Sequence, residues 1–409
     1  MRILWLKSEI LHPVDKGGKI RTYQTLRCLK RRHSVTYLCF QRPLDTHDSI
    51  GHSVEYSDRL ITVDAHAPDR YTLGFYAALT ANMASGLPYS IQKYQSEQMR
   101  AAIENELTPD KHDLLVCDFL TPVINLPARI PIPSIIFQHN VESMIWRRHY
   151  ESCEGVLKRA FFREQFRRMN RFEGEALKRF DAVVAVSESD SQMMRTNFNV
   201  DRIYSVATGV DTVFFAPNDA AEQDPCELVF TGSMDYLPNE DAILFFAESI
   251  LPLIAEKVPR VRLTVAGREP GPALRALANS NARILVTGAV DDIRPYIARA
   301  GCFVVPMRIG GGTRLKIFEA MSMARPVVST SVGAEGLPVA DGVHCFLADD
   351  PAAFADRVVR VLTDREAAER LSQQGRTLVA SKFSWERVTE DFSRICQEVR
   401  SEKVRFKAA

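Results

Sequence analysis

The residues best suited to chemistry lie in Pro306–Met321, PMRIGGGTRLKIFEAM, where an apolar strand pattern runs into three glycines and then into a helical pattern starting near Thr313. Gly310, Gly311 and Gly312 allow positive φ and bring backbone N–H groups close to a ligand with no side chain in the way. The helix start adds partial positive charge, and Arg314 and Lys316 add fixed cations, so a diphosphate is the natural guest. Glu319, further along the helix, is placed to accept hydrogen bonds from sugar hydroxyls. The plain alternative is a glycine loop before a solvated helix start. Ordering three glycines is costly, however, unless something approaches them.

Three other segments carry similar signals. Asp15-Lys16-Gly17-Gly18-Lys19 follows the first strand pattern and precedes a helical one, so Gly17 and Gly18 form a phosphate-friendly turn. No G-x-G-x-x-G fingerprint accompanies them, and a simple turn stands equally beside that reading. Phe137–Glu142 closes an apolar strand with polar groups: His139 donates or accepts near neutral pH, and Asn140 and Glu142 join it as substrate-binding candidates. Asp118, at another strand end, reads first as a cap or loop residue and second as a catalytic one. Gly232–Asn239 reads as a strand end, a glycine turn facing the same ligand, and a helix capped by Asn239. Gly267-Arg268 and Gly288-Ala289-Val290 read as ordinary strand-to-helix turns, or as backbone contacts to that ligand.

Short β-branched runs alternating with helical patterns must position these groups, which is the signature of parallel sheets covered by helices. Strands are expected over residues 2–6, 34–40, 60–64, 114–118, 134–139 and 182–187, and again over 227–232, 261–267, 283–287, 302–306 and 326–329. The fold class is therefore α/β, with two Rossmann-like, doubly wound parallel-sheet domains facing across a cleft. Open sheets of this kind bind ligands at the carboxyl ends of their strands, where the polar segments above fall. A length of 409 residues suits two domains. The polar, proline-bearing run Phe215–Pro225 divides them into residues 1–215 and 216–385, and a final helix over 386–409 is expected to cross back to the first domain.

Lys and Arg number 52 against 51 Asp and Glu, so no global field calls for nucleic acid. Eight cysteines lie far apart without a C-x-x-C pair, which fits core thiols in a reducing compartment better than a zinc site or a disulfide framework. No signal peptide and no apolar run of about 18 residues is present, so a cytoplasmic location is expected, with the inner face of the cytoplasmic membrane as an option. Leu157–Phe180 bears on that option: Lys158, Arg159, Arg163, Arg167, Arg168, Arg171, Lys178 and Arg179 interleave with Phe161, Phe162, Phe166 and Phe172. A phenylalanine stripe with a solvated charged back is the first reading, and a helix lying on an anionic membrane or attracting an anionic acceptor is the second. H-E-x-x-H, D-x-D, Walker A and G-x-S-x-G motifs are absent, which counts against zinc hydrolases, P-loop ATPases and α/β-hydrolases.

The segments HP-x-x-KGGKIR (His12–Arg21), QHNVES (Gln138–Ser143), GSMDYLPN (Gly232–Asn239) and GGGTRLKIFEAM (Gly310–Met321) together resemble the retaining GT-B glycosyltransferases of family 4. The likeness is narrowest to the bacterial, exosortase-system-associated sugar transferases of exopolysaccharide assembly. It implies a hexosyltransferase with a nucleotide-diphosphate sugar held by the second domain and a saccharide or lipid-linked acceptor held by the first. It further implies retention of configuration and no metal or cofactor beyond the donor itself. Glu319 matches the second glutamate of the family's E-x(7)-E pattern, which by analogy binds the ribose hydroxyls. Gly311 stands where the first glutamate is usual, so the amides of Gly311 and Gly312 are placed to replace that carboxylate. His139 matches the histidine expected near the transferred sugar, and Gly17-Gly18 the loop that approaches the phosphates. The basic pair often found after the first strand of the second domain is missing from Met234–Asn239, which assigns the diphosphate to Arg314 and Lys316. Two other readings remain at this stage: a sugar-nucleotide 2-epimerase of the same architecture, and a degenerate nucleotide-sugar-binding protein, for which Gly311 is the motive.

Overall fold

The structure, a computed structural model, describes residues 1–65, 72–218, 222–309 and 314–408, with the side chains of 404–408 left aside. Gly310, Gly311, Gly312 and Thr313 therefore lie outside the described residues. The chain divides into two compact units, Met1–Ala207 with Val388–Ala409, and Thr208–Arg387.

The first unit is built on a seven-stranded parallel sheet: β1 (Arg2–Leu6), β2 (Ser34–Gln41), β3 (Arg59–Asp64), β4 (Leu114–Asp118), β5 (Ser134–Gln138), β6 (Ala182–Ala185) and β7 (Ile203–Ser205), in the order β3-β2-β1-β4-β5-β6-β7. Both faces are covered, as an all-parallel sheet requires, so its strands are apolar without interruption. Leu4, Leu6, Leu115, Cys117 and Ile136 enter the core on one face, while Ile3, Trp5, Val116, Ile135 and Phe137 enter that on the other. Val388, Phe392, Ile395, Cys396 and Val399 of the final helix, Trp385–Ala408, complete the second of these cores. Phe392 packs on Trp5 at a ring separation of 5.8 Å.

The second unit carries β8 (Asp224–Thr231), β9 (Arg262–Ala266), β10 (Ile284–Gly288), β11 (Ala300–Val305), β12 (Val327–Ser329) and β13 (Phe346–Leu347), ordered β10-β9-β8-β11-β12-β13 and parallel throughout. Residues 208–215 stay with this unit because Val210 donates to Phe383 O at 2.8 Å and accepts from the Trp385 N–H at 3.3 Å. Sequence patterning missed only the short edge strands β7 and β13, three and two residues long, which leave too little alternation to read. Both sheets reverse their order beside the first strand, between β1 and β4 and between β8 and β11. Such a reversal is where ligand crevices form in open α/β sheets.

Candidate active site

In the first unit, alternation along the strands sets the site. Trp5, Lys7, Asp118, Phe137 and His139 fall on one face at the ends of β1, β4 and β5, beneath the helix Gly17–Leu29. Asp118 is the hub. Its Oδ2 accepts from Trp5 Nε1 at 2.9 Å and from Thr22 Oγ1 at 2.6 Å, and lies 3.1 Å from Lys7 Nζ. Lys7 Nζ also donates to Thr22 Oγ1 at 2.8 Å. The other oxygen, Oδ1, lies 3.0 Å from His139 Nε2. Burial alone would raise the Asp118 carboxyl, but the Lys7 ammonium, His139 and Thr22 hold it well below the usual carboxylate range. Burial lowers Lys7 against the pull of Asp118.

Since Asp118 is ionised, the geometry assigns the ring proton of His139 to Nε2 and leaves Nδ1 as an acceptor. Both ring nitrogens are buried without a well-aligned hydrogen bond among the described residues, so it is the 3.0 Å approach of the Asp118 carboxylate to Nε2 that places the proton there. Burial pushes His139 down to about 3 despite Asp118, so the ring is neutral across the physiological range. Phe119 covers it at a centroid distance of 4.1 Å and also lies under Lys7 Nζ at 4.3 Å. Phe119 holds φ at +72°, a backbone outlier for a bulky residue and the kind of strain that collects at functional sites.

Gly18 explains how a helix start comes so near this cluster: a Cβ there would stand 3.1 Å from the Phe119 ring and 3.8 Å from His139 Nδ1. Gly17 begins the helix and has open space around it. Lys16, at the N-cap position, provides no side-chain cap, which leaves the first-turn amides available to an anion. Asn140 is exposed beside the cluster. Glu142 begins the helix Glu142–Ser152; burial pushes its carboxyl up, opposed by a hydrogen bond with Asn140. The N–H groups of Glu142 and Ser143 both donate to Glu173, each at 2.9 Å. Burial nevertheless pushes Glu173 up to about 7.

In the second unit the loops after β8, β9 and β10 are stitched together at glycines. Gly232 N–H donates to Ala266 O at 3.1 Å, and Gly267 N–H to Gly288 O at 3.2 Å. A Cβ on Gly267 would fall 1.7 Å from Gly232 O, and one on Gly232 would fall 2.8 Å from Lys316 Nζ. The backbone oxygen in the way at Gly267 and the φ of +155° at Gly232 therefore call for glycine at both positions. Lys316, from the helix Leu315–Ser322, reaches back to this loop: Nζ donates to Asn239 Oδ1 at 3.0 Å and lies 4.0 Å from the centroid of Phe230. Asn239 in turn donates through Nδ2 to Ser233 O at 2.8 Å. It is not the helix cap that its residue type suggests. The helix begins at Leu237 with Pro238 in its first turn, a position that tolerates a missing N–H, and this moves Asn239 inside the helix to serve as a brace.

Burial pushes Lys316 down to about 7, with Glu319 opposing, and pushes Glu319 up to about 7, with Lys316 opposing. Arg314 is buried at the N-cap position of the same helix. The structure thus gathers Gly232, Lys316, Glu319 and Arg314 around one loop and helix start, and it gathers Gly17, Gly18 and His139 around another.

Sequence reasoning missed Lys7, Thr22 and Phe119, and it underrated Asp118. Only Asp118 carried a signal, a carboxylate closing an apolar strand. Sequence reasoning read Arg268 only as a turn residue or a backbone contact, whereas the side chain donates through Nε to Ser233 Oγ at 2.8 Å and so sets a cation beside the loop that lacks the expected basic pair.

Comparison with known proteins matches residues 16–214 to the family described as Glycosyltransferase Family 4, and residues 225–364 to that described as Glycosyl transferases group 1. A protein of Klebsiella pneumoniae described as an uncharacterized 44.6 kDa protein in the cps region is 19% identical, across 97% of this chain and 99% of its own length. The D-inositol 3-phosphate glycosyltransferase of Frankia alni is 29% identical over 45% of this chain, a match that spans 50% of that enzyme. Among solved structures, a sucrose-phosphate synthase from Thermosynechococcus elongatus superposes with a TM-score of 0.68 at 16% identity, covering 98% of this chain and 100% of its own. Anabaena Alr3699/HepE in complex with UDP and glucose superposes at 0.62 with 13% identity, covering 97% and 99%. At those identities the likeness speaks for the fold, two Rossmann-like parallel-sheet units of the GT-B class.

Proposed function

This chain belongs to family 4 of the glycosyltransferases, and from that premise we propose that it is a retaining hexosyltransferase acting from a nucleoside-diphosphate sugar. The acceptor is a hydroxyl of a saccharide or lipid-linked glycan in polysaccharide assembly, a reading supported by the full-length relative from a cps region. One observation carries the donor assignment: the Lys316 ammonium is held over the glycine loop by neutral groups, Asn239 and the Phe230 ring, and among the described residues it makes no ion pair. A half-buried cation without a carboxylate partner is incomplete, and an anion completes it.

In the proposed reaction the bond between the anomeric carbon and the diphosphate oxygen breaks, and its electron pair leaves with the nucleoside diphosphate. The acceptor oxygen bonds to that carbon from the same face, and its proton passes to the departing diphosphate oxygen. Negative charge grows on the diphosphate and positive character on the sugar, so preorganised cations and amides supply most of the stabilisation. Lys316, Arg314 and Arg268 are the cations, the Gly17–Gly18 helix start supplies amides, and Glu319 accepts from the ribose hydroxyls. His139 orients a hydroxyl through the acceptor Nδ1. The fixed side-chain cations support a reaction independent of metal, for which unchanged turnover in a chelator is the check.

The test is a thermal-shift screen of UDP-, GDP-, ADP- and dTDP-sugars, because a bound donor stabilises the folded state by mass action. The stabilising donor is then incubated with and without glycan acceptors, and the product anomer is read by NMR. Stabilisation followed by acceptor-dependent release of the nucleoside diphosphate, with the donor's anomeric configuration kept, is the expected result. Conversion of the donor sugar without an acceptor gives the epimerase, and binding without turnover gives the degenerate protein.

A further inference from the structure

The helix Leu73–Met83 (LGFYAALTANM) contains no charged residue, and none occurs from Thr72 to Gln92. Its exposed positions, Leu73, Gly74, Tyr76, Ala77, Thr80, Ala81 and Met83, form one continuous stripe at a helical 100° per residue, while Asn82 on the opposite side is buried. Leu73 is 91% exposed and Met83 73% exposed. A solvent-facing stripe of a globular protein normally carries charges. An uncharged helix whose exposed stripe is mostly apolar is one that meets something apolar.

The charges stand beside it. Arg168 donates to Asn82 O at 2.7 Å and to Met83 O at 3.2 Å, and Arg171 to Gly86 O at 3.0 Å, which fixes the end of this helix on the long basic helix Val156–Leu177. Arg159, Arg163, Arg167 and Arg171 recur there every fourth residue and are all exposed, so they form one ridge leading away from that junction. Glu164 engages Arg167 at 2.9 Å, whereas Lys158, Arg159 and Arg163 make no ion pair among the described residues. The ridge ends at Val156 and Leu157, 85% and 87% exposed. The phenylalanines of the same helix turn inward: Phe172 packs on the sheet core, and Phe162 stacks on His149 at 5.5 Å.

Two apolar patches that no described residue covers, joined by a row of arginines, have the chemistry of a bilayer surface, with acyl chains for the patches and anionic headgroups for the row. We propose that Leu73–Met83 and the start of Val156–Leu177 form a docking face for an anionic lipid bilayer, on which the chain lies peripherally. Among the described residues no helix is long and apolar enough to cross a membrane, so the contact is interfacial. This inference stands apart from the donor reading.

The experiment is co-sedimentation of the full chain with phosphatidylcholine vesicles with and without phosphatidylglycerol. The wild type is expected on the phosphatidylglycerol vesicles and not on phosphatidylcholine alone, with salt weakening the association without abolishing it. Leu73→Glu with Met83→Glu is expected to weaken binding by roughly tenfold or more, and each of Arg159→Gln and Arg163→Gln by about fivefold. Circular dichroism and donor-induced thermal shifts unchanged in these surface variants show that fold and donor site are intact. Absence of the wild type from phosphatidylglycerol vesicles at low salt overturns the proposal. So does wild-type binding by the double glutamate variant, or a solution dimer that this variant dissolves while vesicles stay unbound, which assigns the face to a second copy of the chain.

Discussion

Each unit holds a lysine ammonium over a phenylalanine ring near the carboxyl ends of its strands, Lys7 at 4.3 Å from the centroid of Phe119 and Lys316 at 4.0 Å from that of Phe230. What differs is the oxygen that meets the charge. Lys7 meets the carboxylate of Asp118, fully buried and shared with Thr22, Trp5 and the ring of His139. Lys316 meets the carboxamide of Asn239. The first lysine's charge is spent inside the protein, where it fixes the orientation of a histidine. In the proposed function the second lysine gains its full charge only when a ligand's anion meets it, so similar parts would give a framework in one unit and an anion receptor in the other.

The largest expected effect lies on the framework side. Asp118→Ala leaves the Lys7 ammonium buried and unpaired, which should destabilise the chain by about 3–5 kcal/mol, read by urea denaturation. Asp118→Leu combined with Lys7→Met removes both charges and should recover most of that loss. A cost of Asp118→Ala under about 1 kcal/mol, the range of an exposed pair, would mean that the two lysines do not differ as argued. On the receptor side the pattern inverts. Lys316→Ala should leave unfolding stability almost unchanged and weaken UDP binding by about 1.5–3 kcal/mol, the range of a hydrogen bond to a charged group, measured by calorimetry. Turnover should fall with it.

The two lysines also part company in pH dependence. With Lys316 near 7 in the empty site, a diphosphate favours its protonated form, so UDP affinity is flat below pH 7 and falls above it. The fall approaches about tenfold per pH unit for a single linked proton. Glu319, also near 7, loses its proton over the same range, and because its carboxylate accepts better from the ribose hydroxyls it works against this fall. Lys316→Arg should flatten the upper limb, since a guanidinium does not titrate there. His139 and Asp118 lie too low to contribute. A UDP affinity independent of pH from 6 to 9 in the wild type would assign the diphosphate to other groups.

Much of the architecture was legible in the sequence because parallel strands buried on both faces read as unbroken apolar runs, and polar residues at their ends mark the ligand side. Glycines were legible for the same reason: Gly18, Gly232 and Gly267 sit where another group comes too near for a Cβ. The hub at Asp118 was not legible, since its meaning depends on Lys7 and Thr22, residues brought to it from more than ninety positions away by the β1–β4 pairing. Phe119 gave no sign of its positive φ, because a phenylalanine after a strand is ordinary in sequence. Asn239 was misread as a cap because residue type favours that role, whereas Pro238 shifts the helix start and makes it a brace.

Asn239→Asp offers the smallest expected change and tests the contrast most directly, because it gives Lys316 the kind of partner Lys7 already has. The aspartate should pair with the ammonium and raise its pKa, so the protein should fold as well as or better than the wild type. UDP should bind about fivefold more weakly, on the scale of about 1 kcal/mol for one partly exposed charge pair. The fall in UDP affinity with pH should move to higher pH as Lys316 stays protonated longer, and this separates neutralisation of the charge from damage to the loop. Asn239→Ala is the control: it removes the brace to Ser233 without adding a charge, so it should weaken UDP binding and leave the pH midpoint where burial sets it. An aspartate variant that binds UDP as tightly as the wild type, with an unmoved pH profile, would show that the amide partner is incidental and that the charge meeting the diphosphate comes from elsewhere in the loop.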